Sequence, residues 1–132
     1  MAVYRPSSGQ WFVLRSSNGT GAIFSWGQAS DVPVPGDYDG DGRADVAIYR
    51  PSARVWYILK SSTNFTTYAG YAWGVAGDVP VPADYDGDGV TDVAIYRPAS
   101  GHWFILNSMT GFTTYSARQW GVSSDIPIML RD

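Results

Sequence analysis

Two aspartate strings hold the residues whose types and spacing suit a chemical task. They are Asp37-Tyr38-Asp39-Gly40-Asp41-Gly42-Arg43-Ala44-Asp45 and Asp84-Tyr85-Asp86-Gly87-Asp88-Gly89-Val90-Thr91-Asp92. Each puts carboxylates at loop positions 1, 3, 5 and 9 with glycine at position 6, the spacing that wraps oxygen ligands around Ca²⁺. The expected ligands are the side chains of Asp37, Asp39, Asp41 and Asp45 in the first loop, and of Asp84, Asp86, Asp88 and Asp92 in the second. The backbone carbonyls of Arg43 and Val90 complete the shells, giving two Ca²⁺ per chain. All twelve acidic residues are Asp, and eight of them lie in these strings, so the acidity is concentrated. An EF-hand loop shares part of the spacing, but it closes on a bidentate Glu between helices, and this chain has no Glu. Asp and Gly also favour tight turns without metal. Four carboxylates within nine residues repel one another unless neutralised, which favours an ion.

Little else points to reactivity. His102 is the only histidine, and beside Trp103 at a strand start it reads as a turn or surface residue rather than a general base. Cysteine is absent, which excludes disulfides and thiolate zinc sites. No serine sits in a Gly-x-Ser-x-Gly elbow, and the aspartates that could form a glycosidase pair are mostly committed to the two loops. The expectation is that the chain is not an enzyme. A net charge of −3 without a basic cluster argues against a nucleic-acid partner. Two divalent ions would bring that charge to +1. No apolar run is long enough to cross a membrane as a helix, and no signal-peptide pattern opens the chain.

The loops repeat together with their surroundings. Asp-Val/Ile-Pro recurs at Asp31, Asp78 and Asp125, Trp-Gly at Trp26, Trp73 and Trp120, and Ala-Val/Ile-Tyr-Arg-Pro at Ala2, Ala47 and Ala94, with a period of 47 residues. Trp11 and Trp26 stand two residues closer than Trp56 and Trp73, which places the difference in one hairpin. Three units, approximately 1–44, 45–91 and 92–132, make one segment over 1–132. Within a unit, Val46–Arg50, Val55–Lys60, Thr66–Trp73 and Val79–Ala83 are short and rich in β-branched and aromatic residues, so they read as strands. Their apolar residues fall on both faces, as in a sheet covered on both sides. Asn18-Gly19 marks a hairpin, and the prolines of Val79–Ala83 limit that strand to pairing fully on one edge.

Four short strands in each unit of 40 to 50 residues read as an all-β fold of β-propeller blades. The residues also resemble the FG-GAP or VCBS-type repeats of integrin alpha-subunit propellers and many secreted bacterial proteins. Trp-Gly stands where that family has Phe-Gly, Tyr-Arg-Pro at Tyr4, Tyr49 and Tyr96 stands near its Gly-Ala-Pro, and the aspartate loops between them match its Ca²⁺ loop. The resemblance implies an extracellular or cell-surface setting. It also implies that each loop joins the first, innermost strand of a blade to the second. The chain then begins on a second strand at Ala2 and ends on a first strand, Asp125–Leu130. Arg131 takes the first ligand position of an incomplete third loop.

The repeated Trp11, Trp56 and Trp103, with Trp26, Trp73 and Trp120, suit either blade packing or stacking on sugar rings, and packing is favoured. Arg5, Arg50 and Arg97 are read as structural hydrogen-bonding residues between blades. Two functions follow: a Ca²⁺-stabilised module with a structural or protein-binding role, or a glycan-binding lectin with one site per blade. Propellers close with about four to eight blades, so three units leave open faces. The expected partner is a second copy of the chain, which completes six blades by exchanging the terminal strand; the alternative is that the segment is a piece of a longer repeat protein.

Overall fold

The computed structural model describes residues 1–129. Leu130, Arg131 and Asp132, which carry the end of the expected terminal strand and the start of the third loop, lie outside the described residues. Strands form where apolar runs stand between turn residues. The first sheet contains β1 (Ala2–Arg5), β2 (Gln10–Leu14) and β3 (Gly21–Ser25) in that order. The second takes β4 (Val32–Pro33), β5 (Val46–Arg50), β6 (Val55–Leu59) and β7 (Tyr68–Ala72). The third takes β8 (Val79–Pro80), β9 (Val93–Arg97), β10 (His102–Leu106) and β11 (Tyr115–Gln119). Every neighbouring pair is antiparallel. The result is all-β, with sheets of the size and order of blades.

Three sequence expectations change in detail. The units are not uniformly four-stranded, because the first sheet has three strands among the described residues. Asp125 to Met129 forms no strand: a strand exists through its ladder, and this segment has no ladder partner among the described residues. The strand preceding each aspartate loop is shorter than expected, two residues in β4 and in β8. Proline removes ladder donors there, and each lies at a sheet edge. Asn18-Gly19 does sit in a hairpin, but not in a two-residue turn. Arg15 N–H donates to Thr20 O at 2.9 Å and Gly19 N–H to Arg15 O at 2.9 Å, with only Gly19 of that pair at positive φ.

Each of the first two sheets packs a face on the next, and the apolar residues of the middle sheet alternate between two buried faces. Val46 and Ile48 of β5 cluster with Trp11 and, around them, Tyr4, Phe24 and Trp26 of the first unit. Ala47 and Tyr49 of the same strand cluster instead with Trp56, Ile58, Val93, Ile95 and Leu106. Tryptophan pins both levels of this stack. Within a sheet, Trp11 Nε1 donates to Trp26 O at 2.9 Å and Trp56 Nε1 to Trp73 O at 3.1 Å. Between sheets, Trp26 Nε1 donates to Tyr57 O at 3.0 Å and Trp73 Nε1 to Phe104 O at 3.1 Å. Aromatic pairs Phe24–Phe65 and Tyr71–Phe112 close the same interfaces.

Arg50 and Arg97 are structural, as expected, but act within a sheet. Arg50 grips the buried Asp31 through Nε at 3.0 Å and Nη2 at 2.9 Å, and Arg97 grips Asp78 in the same way. Asp31 Oδ2 also accepts Gln28 N–H at 2.9 Å, so the pair fixes the crossover that leads from β3 into β4. Trp56 is fully buried, so Trp56→Ala is expected to lower stability by about 3–5 kcal/mol. The check is the urea midpoint followed by circular dichroism.

Candidate metal centre

The aspartate loops begin as folded turns of like charge. Asp37 caps its own loop, Oδ1 accepting Gly40 N–H at 2.7 Å and Asp41 N–H at 3.1 Å, and Oδ2 accepting Gly42 N–H at 2.8 Å. Asp84 does the same with Gly87 and Gly89, both at 2.8 Å. At Gly42 and Gly89 an added Cβ would meet nothing, yet φ is +85° at both, so the backbone rather than the space calls for glycine. An antiparallel bridge closes each loop, Gly36 with Asp45 and Ala83 with Asp92.

These turns gather carboxylates. Oxygens of Asp37, Asp39 and Asp41 lie within 4.8 Å of one another, as do those of Asp84, Asp86 and Asp92. Ligands held 2.3–2.6 Å from a shared Ca²⁺ can be no more than about 5 Å apart, and the donors are hard oxygens, so both groups fit that ion. Each trio contains three of the four expected side chains. The fourth, Asp45 in one loop and Asp88 in the other, bonds the serine of the adjacent hairpin. Asp45 accepts Tyr38 N–H, Ser61 N–H and Ser61 Oγ–H, each at 2.8 Å. Asp88 accepts Val90 N–H at 2.9 Å and Ser108 Oγ–H at 2.9 Å. The carbonyls of Arg43 and Val90 each lie 3.4 Å from those serine hydroxyls.

Position 9 is the structural hub. Asp45 and Asp92 are both fully buried. Burial pushes the Asp45 carboxyl up from the usual carboxylate range, opposed by the donors on Ser61 and Tyr38, so the site taxes an unneutralised charge. Asp92 Oδ2 accepts Tyr85 N–H at 2.7 Å and its Oδ1 accepts Ser108 N–H at 2.7 Å. The hairpin between the third and fourth strands of each full sheet therefore clamps the loop between the first and second. Asp39 accepts Ser62 N–H and Asp86 accepts Met109 N–H, both at 3.1 Å, in the same clamp.

Ser61 and Ser108 were not singled out in the sequence. Both stand 16 residues beyond the position-9 aspartate, so superposing the repeats would have found them. Tyr38 and Tyr85 were likewise passed over. Their hydroxyls donate to Val34 O and Val81 O, both at 2.7 Å. The two loops are not identical. The Arg43 guanidinium donates to Ser61 O and lies 3.4 Å from Asp41, whereas Val90 puts no charge there. Neighbouring loops also touch, since Thr91 N–H donates to Asp37 O at 2.7 Å. His102, the lone histidine, meets Ser100 Oγ at 2.8 Å and stacks on Phe104.

Residues 37–95 match the family described as FG-GAP-like repeat. The matched span takes in both aspartate loops and the strands between them, so the resemblance read from the residues is shown for this segment. No curated protein and no solved structure matches the chain.

Two outcomes check this geometry. Ser61→Ala removes the hydroxyl shared by Asp41 and Asp45 and is expected to cost about 1–3 kcal/mol by denaturant unfolding. Burial, reinforced by the nearby aspartate, holds the Tyr38 hydroxyl well above its usual 10.0 and pushes Tyr85 up to about 12. Folding thus retains protons that the unfolded chain releases, so this contribution to stability is complete below pH of about 10 and declines above it. Absorbance at alkaline pH should show Tyr85 and Tyr38 ionising after the exposed tyrosines.

Proposed function

We propose that the chain is a non-enzymatic, Ca²⁺-stabilised repeat module with a structural or protein-binding role, its sheets serving as propeller blades. The carrying observation is the approach of three carboxylates in each loop to within 4.8 Å. Bound there, Ca²⁺ would supply the positive charge that these crowded carboxylates need. Asp37, Asp39 and Asp41, with Asp45 and the Arg43 carbonyl, are assigned to one ion. Asp84, Asp86 and Asp92, with Asp88 and the Val90 carbonyl, are assigned to the other. The same carboxylates are bonded to their own loop or to the adjacent hairpin, which favours a scaffold over a reaction centre. Millimolar Ca²⁺ outside cells suits such a site, and among the described residues no helix is long and apolar enough to cross a membrane. Three sheets are too few for a ring of about four to eight blades. Two chains exchanging terminal strands supply six.

A glycan-binding reading draws on one cleft. Trp26, Arg50, Tyr57 and Tyr68 line a hollow of about 250 Å³ between the first two sheets, and Tyr68 is exposed. Against it, Trp11 and Trp56 are buried and cannot stack on a sugar. A glycan array with and without EDTA separates the two readings.

For extracellular modules with Kd of roughly 10⁻⁴ to 10⁻³ M, about 1 mM Ca²⁺ adds about 0.4 to 1.4 kcal/mol per site. Calorimetry should therefore show a lower Tm in EDTA, and an unchanged Tm would sink the metal reading. Asp41→Ala should shrink the difference between the Ca²⁺ and EDTA melts. No polysaccharide turnover is expected, and turnover abolished by Asp39→Asn in a folded protein would overturn the non-enzymatic assignment.

A further inference from the structure

Three interactions that recur from sheet to sheet are left half-made at the two ends of the stack. Asp31 holds Arg50, and Asp78 holds Arg97. Among the described residues, the next aspartate, Asp125, has no cation, and the first arginine of the series, Arg5, has no carboxylate. Arg5 keeps only the stacking on Phe12 that Arg50 and Arg97 keep on Tyr57 and Phe104.

The ladder shows the same gap. Val32 and Pro33 pair with Tyr49 and Ile48, Val79 and Pro80 pair with Tyr96 and Ile95, and Val34 and Val81 N–H donate to Ala47 O and Ala94 O. Ile126, Pro127 and Ile128 repeat this donor segment without a ladder, while β1 repeats the acceptor strand with its outer edge unpaired. Trp26 and Trp73 each give Nε1 to the next sheet, but Trp120 is 81% exposed and gives its Nε1 to no acceptor among the described residues.

The apolar faces agree. Val3 is 64% exposed where its counterparts Ile48 and Ile95 are 1% and 0%. It lines a groove of about 530 Å³ with Met1, Phe12, Leu14 and Ile23. Trp120, Ile126 and Ile128 border a second hollow of about 600 Å³ beside Tyr96 and Trp103. One surface carries what the other lacks, in charge, hydrogen bonding and apolar area.

We infer that the occupant of each surface is a second copy of this chain, with Asp125 of one copy paired to Arg5 of the other and Ile126–Ile128 laid along β1. Carried over from the internal repeats, the register sets Ile126 opposite Tyr4 and Pro127 opposite Val3, with Ile128 N–H on Ala2 O and Trp120 Nε1 on Phe12 O. The docking made twice about a two-fold axis closes six sheets. This rests on the blade reading above and deepens it. The junction differs from the internal interfaces. Gly21 stands where Tyr68 and Tyr115 flank Trp26 and Trp73, and Arg118 stands where Phe24 and Tyr71 meet Phe65 and Phe112. With fewer aromatic contacts, the junction depends more heavily on Asp125 and Arg5.

Light scattering on the full chain in millimolar CaCl₂ tests the inference, and a mass near twice 14.4 kDa is expected. Arg5→Asp and Asp125→Arg should each weaken association at least tenfold, and the double reversal should restore it. The chain has no cysteine, so Val3→Cys with Pro127→Cys should give an oxidised product of two linked chains even if a charge variant folds poorly. A single-chain mass, a broad series of larger species, or no linked product overturns the inference, as do single reversals that leave the dimer intact. Calorimetry of the same samples keeps the two readings apart. A dimer with no EDTA effect on Tm removes the metal role alone, and a monomer with that effect removes the junction alone.

Discussion

Covering both faces of a narrow sheet requires a neighbour on each side, and most of this structure follows from that requirement. In β5, Val46 and Ile48 turn toward the first sheet while Ala47 and Tyr49 turn toward the third. No such sheet can be stable alone, because burial of apolar area is the main driving force and half of it would face water. The tryptophans answer the same requirement with direction. An indole places apolar surface in the interface and its N–H on a backbone carbonyl of the adjacent sheet, which fixes how far each sheet slides over the next.

The aspartate loops solve a different problem at one end of each full sheet. The chain must turn from an edge strand into a central one within nine residues, and it does so by bending backbone N–H groups onto carboxylates. That concentrates negative charge in a small volume that could hold a cation. Ser61 and Ser108 connect this loop to the neighbouring hairpin, so the ordering of one turn is coupled to the ordering of the other. Arg43 adds a fixed cation at the rim of the first loop, which leaves less charge there for an ion to neutralise than in the second loop.

Much of this was legible in the sequence, because repetition exposes constraints that a single copy hides. β5 and β9 match the run of residues read as a strand, and the aspartate spacing located both carboxylate clusters. The packing reading of the repeated tryptophans holds for Trp11 and Trp56, which are buried, but not for the exposed Trp120. The rest depended on contacts between distant positions. Spacing alone cannot say that Asp45 serves Tyr38 and Ser61 while Asp37, Asp39 and Asp41 converge, since the choice is made by a hairpin 16 residues away. The arginines were assigned to the space between blades because repetition does not reveal which face a guanidinium reaches. The brevity of β4 and β8 came from proline, whose effect was anticipated for pairing but not for length.

The strand that opens each full sheet leaves directly from the crossover out of the preceding sheet, so the chain is committed to the next layer before the loop is reached. The stack then behaves as a one-dimensional lattice in which every layer is tied by backbone to its neighbour and the middle layer is packed on both sides. Opening such a lattice begins at its ends. Amide protons of β5 and β6, central in their sheet, are expected to be the slowest to exchange, and those of the edge strands β1 and β11 to exchange through local fraying. A profile of protection that rises toward the middle layer is the expected signature of such a stack.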